Sequence, residues 1–503
     1  MQKGKRVQPT PKTTRERGGE KRSAKKKVTP VGLTVITLMT VLTVVFAIIL
    51  AVAQLLPAKF LLLIYVALLL VLAVIALLVK NHKKRKPFTV GLVVSAVMAV
   101  ALVIGGLTIG RGILTLNAIT NGEVEIDYIS VYVRNDNAAE KLVDTVQYKY
   151  GILESTNREV TNQALDQLNK KLKTEIKTEE FTSITDLLDA LLGGTVDAIL
   201  LPDAFLPLIG ELRGYEDAAS QMRSLITLEL KSEGEMEKTP KSPNSFAVLI
   251  SGIDTWGYVN AVSRSDVNIL AVVNTDTKQV LLLSTPRDYY VPLSISDGVC
   301  DKLTHAGIYG IDVSMDTIGM IYDIDVDYFF RVNFSGFEEI IDSLGGVTVY
   351  SEYAFKASTT GEWFSAGENY LDGESALAFA RERYSFKEGD RERGRNQMKV
   401  VQAVINKALS PELLKNFTGV MEAVEGNFQT SVPYEKITSV VRDQLNDGGE
   451  WNIVTYSVNG TEDTQCTYSM NQPLYVIIPD EATIDTAKEL IRQVYEDEIV
   501  ALP

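Results

Sequence analysis

Three stretches of the chain, residues 28–58, 60–79 and 87–110, contain no charged side chain, and Lys59, a basic loop over 80–87 and Arg111 bound them. Crossing a bilayer core as a helix takes about twenty apolar residues, so the pattern predicts three membrane-spanning helices within residues 30–111. Their number, and the length and late start of the first, set them apart from a cleaved signal peptide. Beyond them the pattern shortens. Over 118–231, the apolar runs IDYISVYV (126–133) and DAILL (197–201) predict strands. AAEKLVDTVQYK, NQALDQLNKKL and ITDLLDALLG carry apolar positions three and four apart and predict helices. A small α/β domain is expected there. Residues 232–245 (SEGEMEKTPKSPNS) are polar, with two prolines, and read as a linker.

After the linker, FAVLISGI (246–253) is a buried-type strand, and 266–288 holds two strands joined by a polar turn around Asn274–Thr277. Helical patterns follow at 312–322, 335–344, 373–384 and 391–409, with strands at 326–333 and 345–350. The expectation is a second, larger α/β domain over 246–425, its mixed central sheet flanked by helices. Residues 426–503 (WNIVTYSV, LYVII, TIDTAKELIRQVY) are expected to complete or pack on it.

Charge divides the molecule the same way. Residues 1–29 carry eleven Lys/Arg against Glu16 and Glu20, 30–117 carry seven and no acid, and the rest holds 32 basic and 62 acidic residues. The basic head is too polar to bury a core and reads as a cytoplasmic tail. It has no interleaved aromatics and no folded module, so orientation and attraction to anionic lipid account for it and no nucleic acid is expected. The basic head and the 80–87 loop belong inside, which leaves everything after about residue 111 outside the cell. Cys300 and Cys466 then share an oxidising compartment, joined or free.

In this acidic outer part, residues 381–399 (RERYSFKEGDRERGRNQMK) gather five arginines. The helix after Gly394 has the apolar stripe Val401, Val404, Ile405 and Ala408. Counting back from Val401 in fours places Gln397 and Arg393 on the inward line. A guanidinium aimed at a core needs a partner, so Arg393 meets buried carboxylates or lines a cavity holding an anion. Arg381 and Arg383 end the preceding helix, and two helices meeting at an arginine-rich turn make a clamp suited to phosphate oxygens. Asp254, Asp266 and Asp288, with Arg264 and Arg287, fall at strand ends, where α/β sheets place their sites. One or two carboxylates with substrate phosphate suffice for magnesium. Each aspartate alone is equally a turn former, and His305 is either a general base or, more simply, a structural histidine.

Six blocks together resemble the LytR–CpsA–Psr family: SGIDTWG, RSDVNILAVVN, LLLSTPRD, LTHAGIYG, VNFSGFEEIIDSLGGV and LDGESALAFARERYSFKEGDRERGRNQMKVVQAVINKAL. The three spans and extra outer domain resemble its capsule-locus members in Gram-positive bacteria. The resemblance implies a magnesium-dependent phosphotransferase that moves a glycopolymer, here capsular polysaccharide, from a polyprenyl-pyrophosphate carrier onto a peptidoglycan sugar hydroxyl. Arg264, Arg287, Arg381, Arg383, Arg391, Arg393 and Gln397 would then bind the lipid pyrophosphate. Asp254 and Asp266 would hold magnesium, and Asp254, Arg287, Arg381 and Arg393 would carry the catalysis. A cavity would take the polyprenyl chain, and other capsule-assembly proteins would be partners. Residues 118–231 have no motif to carry over. Two alternatives stay open: a membrane-bound regulator of capsule synthesis, and a polyprenyl-pyrophosphate phosphatase in which water replaces the sugar hydroxyl.

Overall fold

The computed structural model describes residues 30–80, 85–120, 124–154, 158–233, 242–253, 255, 259–414 and 417–502. The chain divides into two compact units. The first holds the greater part of helices α1 (Pro30–Ala53), α2 (Ala58–Val79) and α3 (Arg85–Thr120), which pack through Met39, Ile75, Val79 and Leu102. Leu63, Leu70 and Leu77 on the far side of α2 stay exposed. All three helices are long and apolar enough to cross a membrane.

The second unit holds two sheets. The N-terminal one comprises β1 (Val124–Arg134), β2 (Lys149–Leu153), β3 (Lys177–Phe181), β4 (Ala198–Pro202) and β5 (Met222–Glu233) in the order β3-β2-β4-β1-β5. Helices α4 (Arg158–Leu172) and α5 (Ile184–Leu192) cover it, and the short α6 (Leu206–Ile209) leads to Glu211. Ser183 caps α5 by accepting the Asp186 amide, and the α5 leucines Leu187, Leu188 and Leu191 are buried. One expectation fails here. AAEKLVDTVQYK forms no α-helix, only a 3-10 turn at Leu142–Thr145 before β2. The Asp144 carboxylate accepts the amides of Glu140 and Lys141 at 3.0 and 2.9 Å and so caps this single turn, which ends before β2 begins at Lys149.

The larger sheet is mixed. It contains β6 (Ser245–Ile253), β7 (Ser265–Asn274) and β8 (Gln279–Ser284), followed outside it by the small pair β9 (Tyr290–Pro292) and β10 (Cys300–Lys302). After α7 (Ile311–Tyr322), β11 (Tyr328–Val332) runs parallel to β6, and α8 (Phe334–Ser343) begins at the cap Asn333. Two antiparallel pairs follow: β12 (Val347–Ser351) with β15 (Gly367–Leu371), and between them β13 (Phe355–Lys356) with β14 (Trp363–Phe364). Then come α9 (Gly373–Arg381), α10 (Asp390–Ala408), α11 (Pro411–Leu414), α12 (Phe417–Ala423) and β16 (Phe428–Thr430). The chain ends with α13 (Tyr434–Asp447), β17 (Asn452–Ser457), the hairpin β18 (Gly460–Cys466) with β19 (Pro473–Pro479), and α14 (Glu481–Tyr495). The sheet order is β16-β11-β6-β7-β8-β17. Leu249, Leu270, Leu281 and Phe329 from its four central strands fill one core with Ile318 of α7 and Leu490 of α14.

The strand directions matter for function. β6 and β11 are parallel while β7 runs against β6 and β8 against β7. The ends of β6, β8 and β11 therefore meet the start of β7 along one edge, and the loops there carry the residues described below.

The two sheets are joined by charge. Glu125 on β1 accepts from Arg331 on β11, which is 2% exposed, and from the Ile311 amide at the start of α7 (3.1–3.2 Å). Asp127, 7% exposed on the same strand, titrates differently: burial and the Glu125 carboxylate push it up to about 7, against the pull of Arg331. Its protonated form is thus favoured by folding, a contribution present below about pH 4 and lost as pH rises through about 7. Asp127→Asn is expected to raise the melting temperature at pH 8 and to leave it nearly unchanged at pH 4, measured by thermal unfolding of the detergent-solubilised chain.

Candidate functional site

The edge where β6, β7, β8 and β11 converge opens into a cavity of about 420 Å³. Its floor is apolar: Ile250 and Ile253 from β6, Val267 from β7, Phe334 and Phe337 from α8, Leu377 from α9 and Val401 from α10. Its mouth is cationic. Arg264, Arg287, Arg381, Arg383 and Arg393 all line it, with Asp266, Glu211 and Gln397. An apolar chamber under a ring of guanidinium groups suits an amphiphile with an anionic head.

The arginine turn is shaped by its neighbours. α9 stops at Arg381 because Glu382 leaves the helical region (φ −67°, ψ 130°). Its carboxylate, buried in a residue only 1% exposed, accepts the amides of Ser358 (2.5 Å) and Ser385 (2.8 Å). Glu382 thereby holds the flanking Arg381 and Arg383 toward the cavity. Gly389 starts α10 at φ +50°, a left-handed conformation that glycine adopts cheaply. A Cβ on Gly394 would meet Ser284 Oγ at 3.1 Å, so the glycine lets the arginine-bearing turn approach the end of β8.

The charges are cross-braced. Arg287 Nη1 donates to Asp266 at 2.8 Å, and Thr304 Oγ1 donates to the other oxygen of Asp266 at 3.1 Å. Burial alone would push the Asp266 carboxyl up, but Arg287, Arg264 and Arg393 outweigh it and hold it below its ordinary value. Arg393 pairs with Asp390 at 2.5 Å; burial pulls its guanidinium down despite that partner. Arg381 lies over the Phe334 ring at 4.2 Å and Arg383 over Tyr384 at 4.7 Å. Among the described residues neither forms an ion pair with a carboxylate.

Gln397 and Arg393, placed on one inward line by the helical repeat, both reach the cavity. Arg391 does not line it: exposed on α10, it donates to the Gly460 carbonyl. Arg395 pairs with Glu388 and Glu392. Asp288 sits beside the cavity, 3.2 Å from Lys302 Nζ. His305 is fully buried, its Nδ1 2.6 Å from Asp301, and is no part of the cavity. Asp254 lies outside the described residues. Both cysteines are free.

Sequence reasoning missed Glu211. It follows α6 in the N-terminal sheet region, yet its carboxylate accepts from Arg264 at 2.6 Å and Lys302 at 3.0 Å. Burial pushes this acid up, and Lys302 and Arg264 more than reverse it. No local pattern marks Glu211, because its partners are 53 and 91 positions away.

The strand ends of this α/β sheet carry a cavity lined by arginines and apolar side chains. The chain belongs to the LytR_cpsA_psr family, whose sequence profile matches residues 211–491 and so reaches beyond the 246–425 blocks on both sides. It is 32% identical over 280 residues to the polyisoprenyl-teichoic acid–peptidoglycan teichoic acid transferase TagU of Bacillus subtilis, covering 55% of this chain and 87% of that one. The TagU of Enterococcus faecalis is 33% identical over 244 residues, 48% of this chain and 78% of its own. The crystal structure of B. subtilis TagV aligns at 25% identity and a TM-score of 0.44, over 52% of this chain and all of that one.

Removing the Glu211 carboxylate leaves Arg264 and Lys302, 8% and 4% exposed, each short of one charged partner. Glu211→Ala is expected to cost about 1.5–3 kcal/mol, read as a lowered melting temperature, with Glu211→Gln losing less.

Proposed function

We propose that this protein is a membrane-anchored glycopolymer transferase of the cell wall. It takes a polymer from a polyprenyl-pyrophosphate carrier and joins it through a phosphodiester to a sugar hydroxyl of peptidoglycan. The observation carrying this reading is the arginine rim over an apolar chamber: the rim suits the pyrophosphate and the chamber the isoprenoid chain. The three apolar helices would anchor the chain, with residues 1–29 in the cytoplasm and both sheets outside. We assign capsular polysaccharide as the polymer, whereas the relatives' names specify teichoic acid.

In the reaction the acceptor oxygen forms a bond to the polymer-bearing phosphorus, and that phosphorus loses its bond to the bridging oxygen. The electron pair leaves with the lipid phosphate, and the hydroxyl proton passes to a nearby carboxylate or water. Such transfers need positioning and charge neutralisation more than covalent help from the protein. Arg287, Arg381, Arg383 and Arg393 would grip the two phosphates and offset the charge that builds on the leaving oxygen. Asp266, kept ionised by these arginines, would also hold magnesium with the phosphate oxygens, since this ion commonly takes one or two carboxylates and fills its shell with water and phosphate. When bound, the metal would supply further neutralisation of the phosphates. Among the described residues no cluster of three His, Cys, Asp or Glu could hold a metal by itself, so the substrate would complete the shell.

Mass spectrometry of the purified chain is expected to find a co-bound polyprenyl phosphate or pyrophosphate. An Arg381→Ala/Arg393→Ala double variant is expected to lose it and to drop transfer by at least about a hundredfold. Retention of the lipid by that variant would overturn the clamp. Wall polymer that stays attached in a strain carrying Arg381→Ala, but is lost on deletion of residues 1–29, would favour a regulator instead.

A further inference from the structure

A second cavity, of about 660 Å³, opens beside the first. The two share Glu211, Arg287, Arg383 and Tyr384 in their walls, so they adjoin at the Arg287 and Arg383 guanidinium groups. The lining of the second is more polar. Beside the shared Tyr384, 73% exposed, its aromatic residues are Phe386 and Tyr475 of β19, 46% exposed, and Leu474 is its one aliphatic side chain. Asp288, Asp390 and Lys302 also line it; Lys302 pairs with Asp288 and Asp390 with Arg393. One face of Tyr384 is already taken by the Arg383 guanidinium, while Tyr475 projects from the β18–β19 hairpin. Burial, with Glu462 and Asp288 nearby, pushes the Tyr475 phenol up to about 12, so it stays a neutral donor.

A pyranose ring has a C–H face that lies against an aromatic ring and a rim of hydroxyls that carboxylates and ammonium groups bind. We infer that this second cavity is the carbohydrate acceptor subsite, in which Tyr475 supports a peptidoglycan sugar so that its hydroxyl faces the phosphorus held by Arg287 and Arg383. The inference rests on the transferase reading above. That reading places the lipid in the first cavity, and the attacking oxygen must come from the side away from the leaving group, roughly in line with it. The second cavity, which adjoins the same arginines and carries the exposed Tyr475, supplies that approach. The sugars of the donor polymer share this chemistry, and the experiment separates the two sources.

The full chain in detergent would be assayed with a polyprenyl-pyrophosphate-linked oligosaccharide as donor and short uncrosslinked peptidoglycan glycan strands as acceptor. Tyr475→Ala is expected to raise the acceptor KM about tenfold and leave the donor KM within about twofold. Tyr475→Phe, which keeps the ring, is expected to restore the acceptor KM. A donor KM that rises instead would place the donor's sugars in this cavity and overturn the assignment, as would two unchanged KM values in Tyr475→Ala. Calorimetric titration with the glycan strands alone reads the subsite without turnover. Weaker binding by Tyr475→Ala than by wild type, with no transfer by either, would uphold the subsite and sink the transferase reading. Equal binding would sink the subsite alone.

Discussion

Five guanidinium groups within one cavity wall repel one another, and the rest of the site is organised by that constraint. Like charges a few ångströms apart at partly buried positions cost several kcal/mol unless carboxylates are interleaved. Asp266 at the start of β7, Asp390 at the start of α10 and Glu211 beyond α6 supply the interleaving. Each comes from a different element, so the sheet edge, the arginine helix and the N-terminal sheet are tied together by electrostatics as well as by packing. Arg381 and Arg383 are braced by aromatic faces instead, which keeps their charge available to an incoming anion.

The strand order turns this balance into geometry. Because β7 opposes both β6 and β8 while β11 follows β6, four loops open on the same edge. The sheet gives that edge a fixed frame, and the aliphatic ends of β6 and β7 form the chamber below it. Buried Glu382 then sets the arginine turn against the frame through two backbone amides. Cationic and apolar side chains thus line adjacent parts of one cavity.

What was legible in the sequence was what repeats locally. Uncharged runs mark the three apolar helices, and a step of four along α10 identifies Arg393 and Gln397 as facing inward. Arg391, expected in the clamp with them, lies two positions from Arg393 and faces out to the Gly460 carbonyl. The same logic misread AAEKLVDTVQYK: Leu142, Val143 and Val146 mimic helical spacing, but Asp144 captures the local amides and β2 begins at Lys149. Glu211 was invisible for the opposite reason, since its meaning lies in partners far along the chain. Glu382 looked like one more charge in a charged run; only burial distinguishes it from Glu388, which is exposed.

Glu211 also bears on how freely such chains can be recombined. The sheet preceding the larger domain could be taken for an interchangeable front piece, yet it donates a side chain to the cavity wall and, through Glu125, a counter-charge to buried Arg331. A chimera that exchanged residues 118–231 for those of a relative would strip Arg331, Arg264 and Lys302 of these carboxylate partners unless matching acids came with the graft. The boundary drawn by composition at the linker is therefore not a seam in the charge network, and the heritable unit is longer than the domain that carries the arginines.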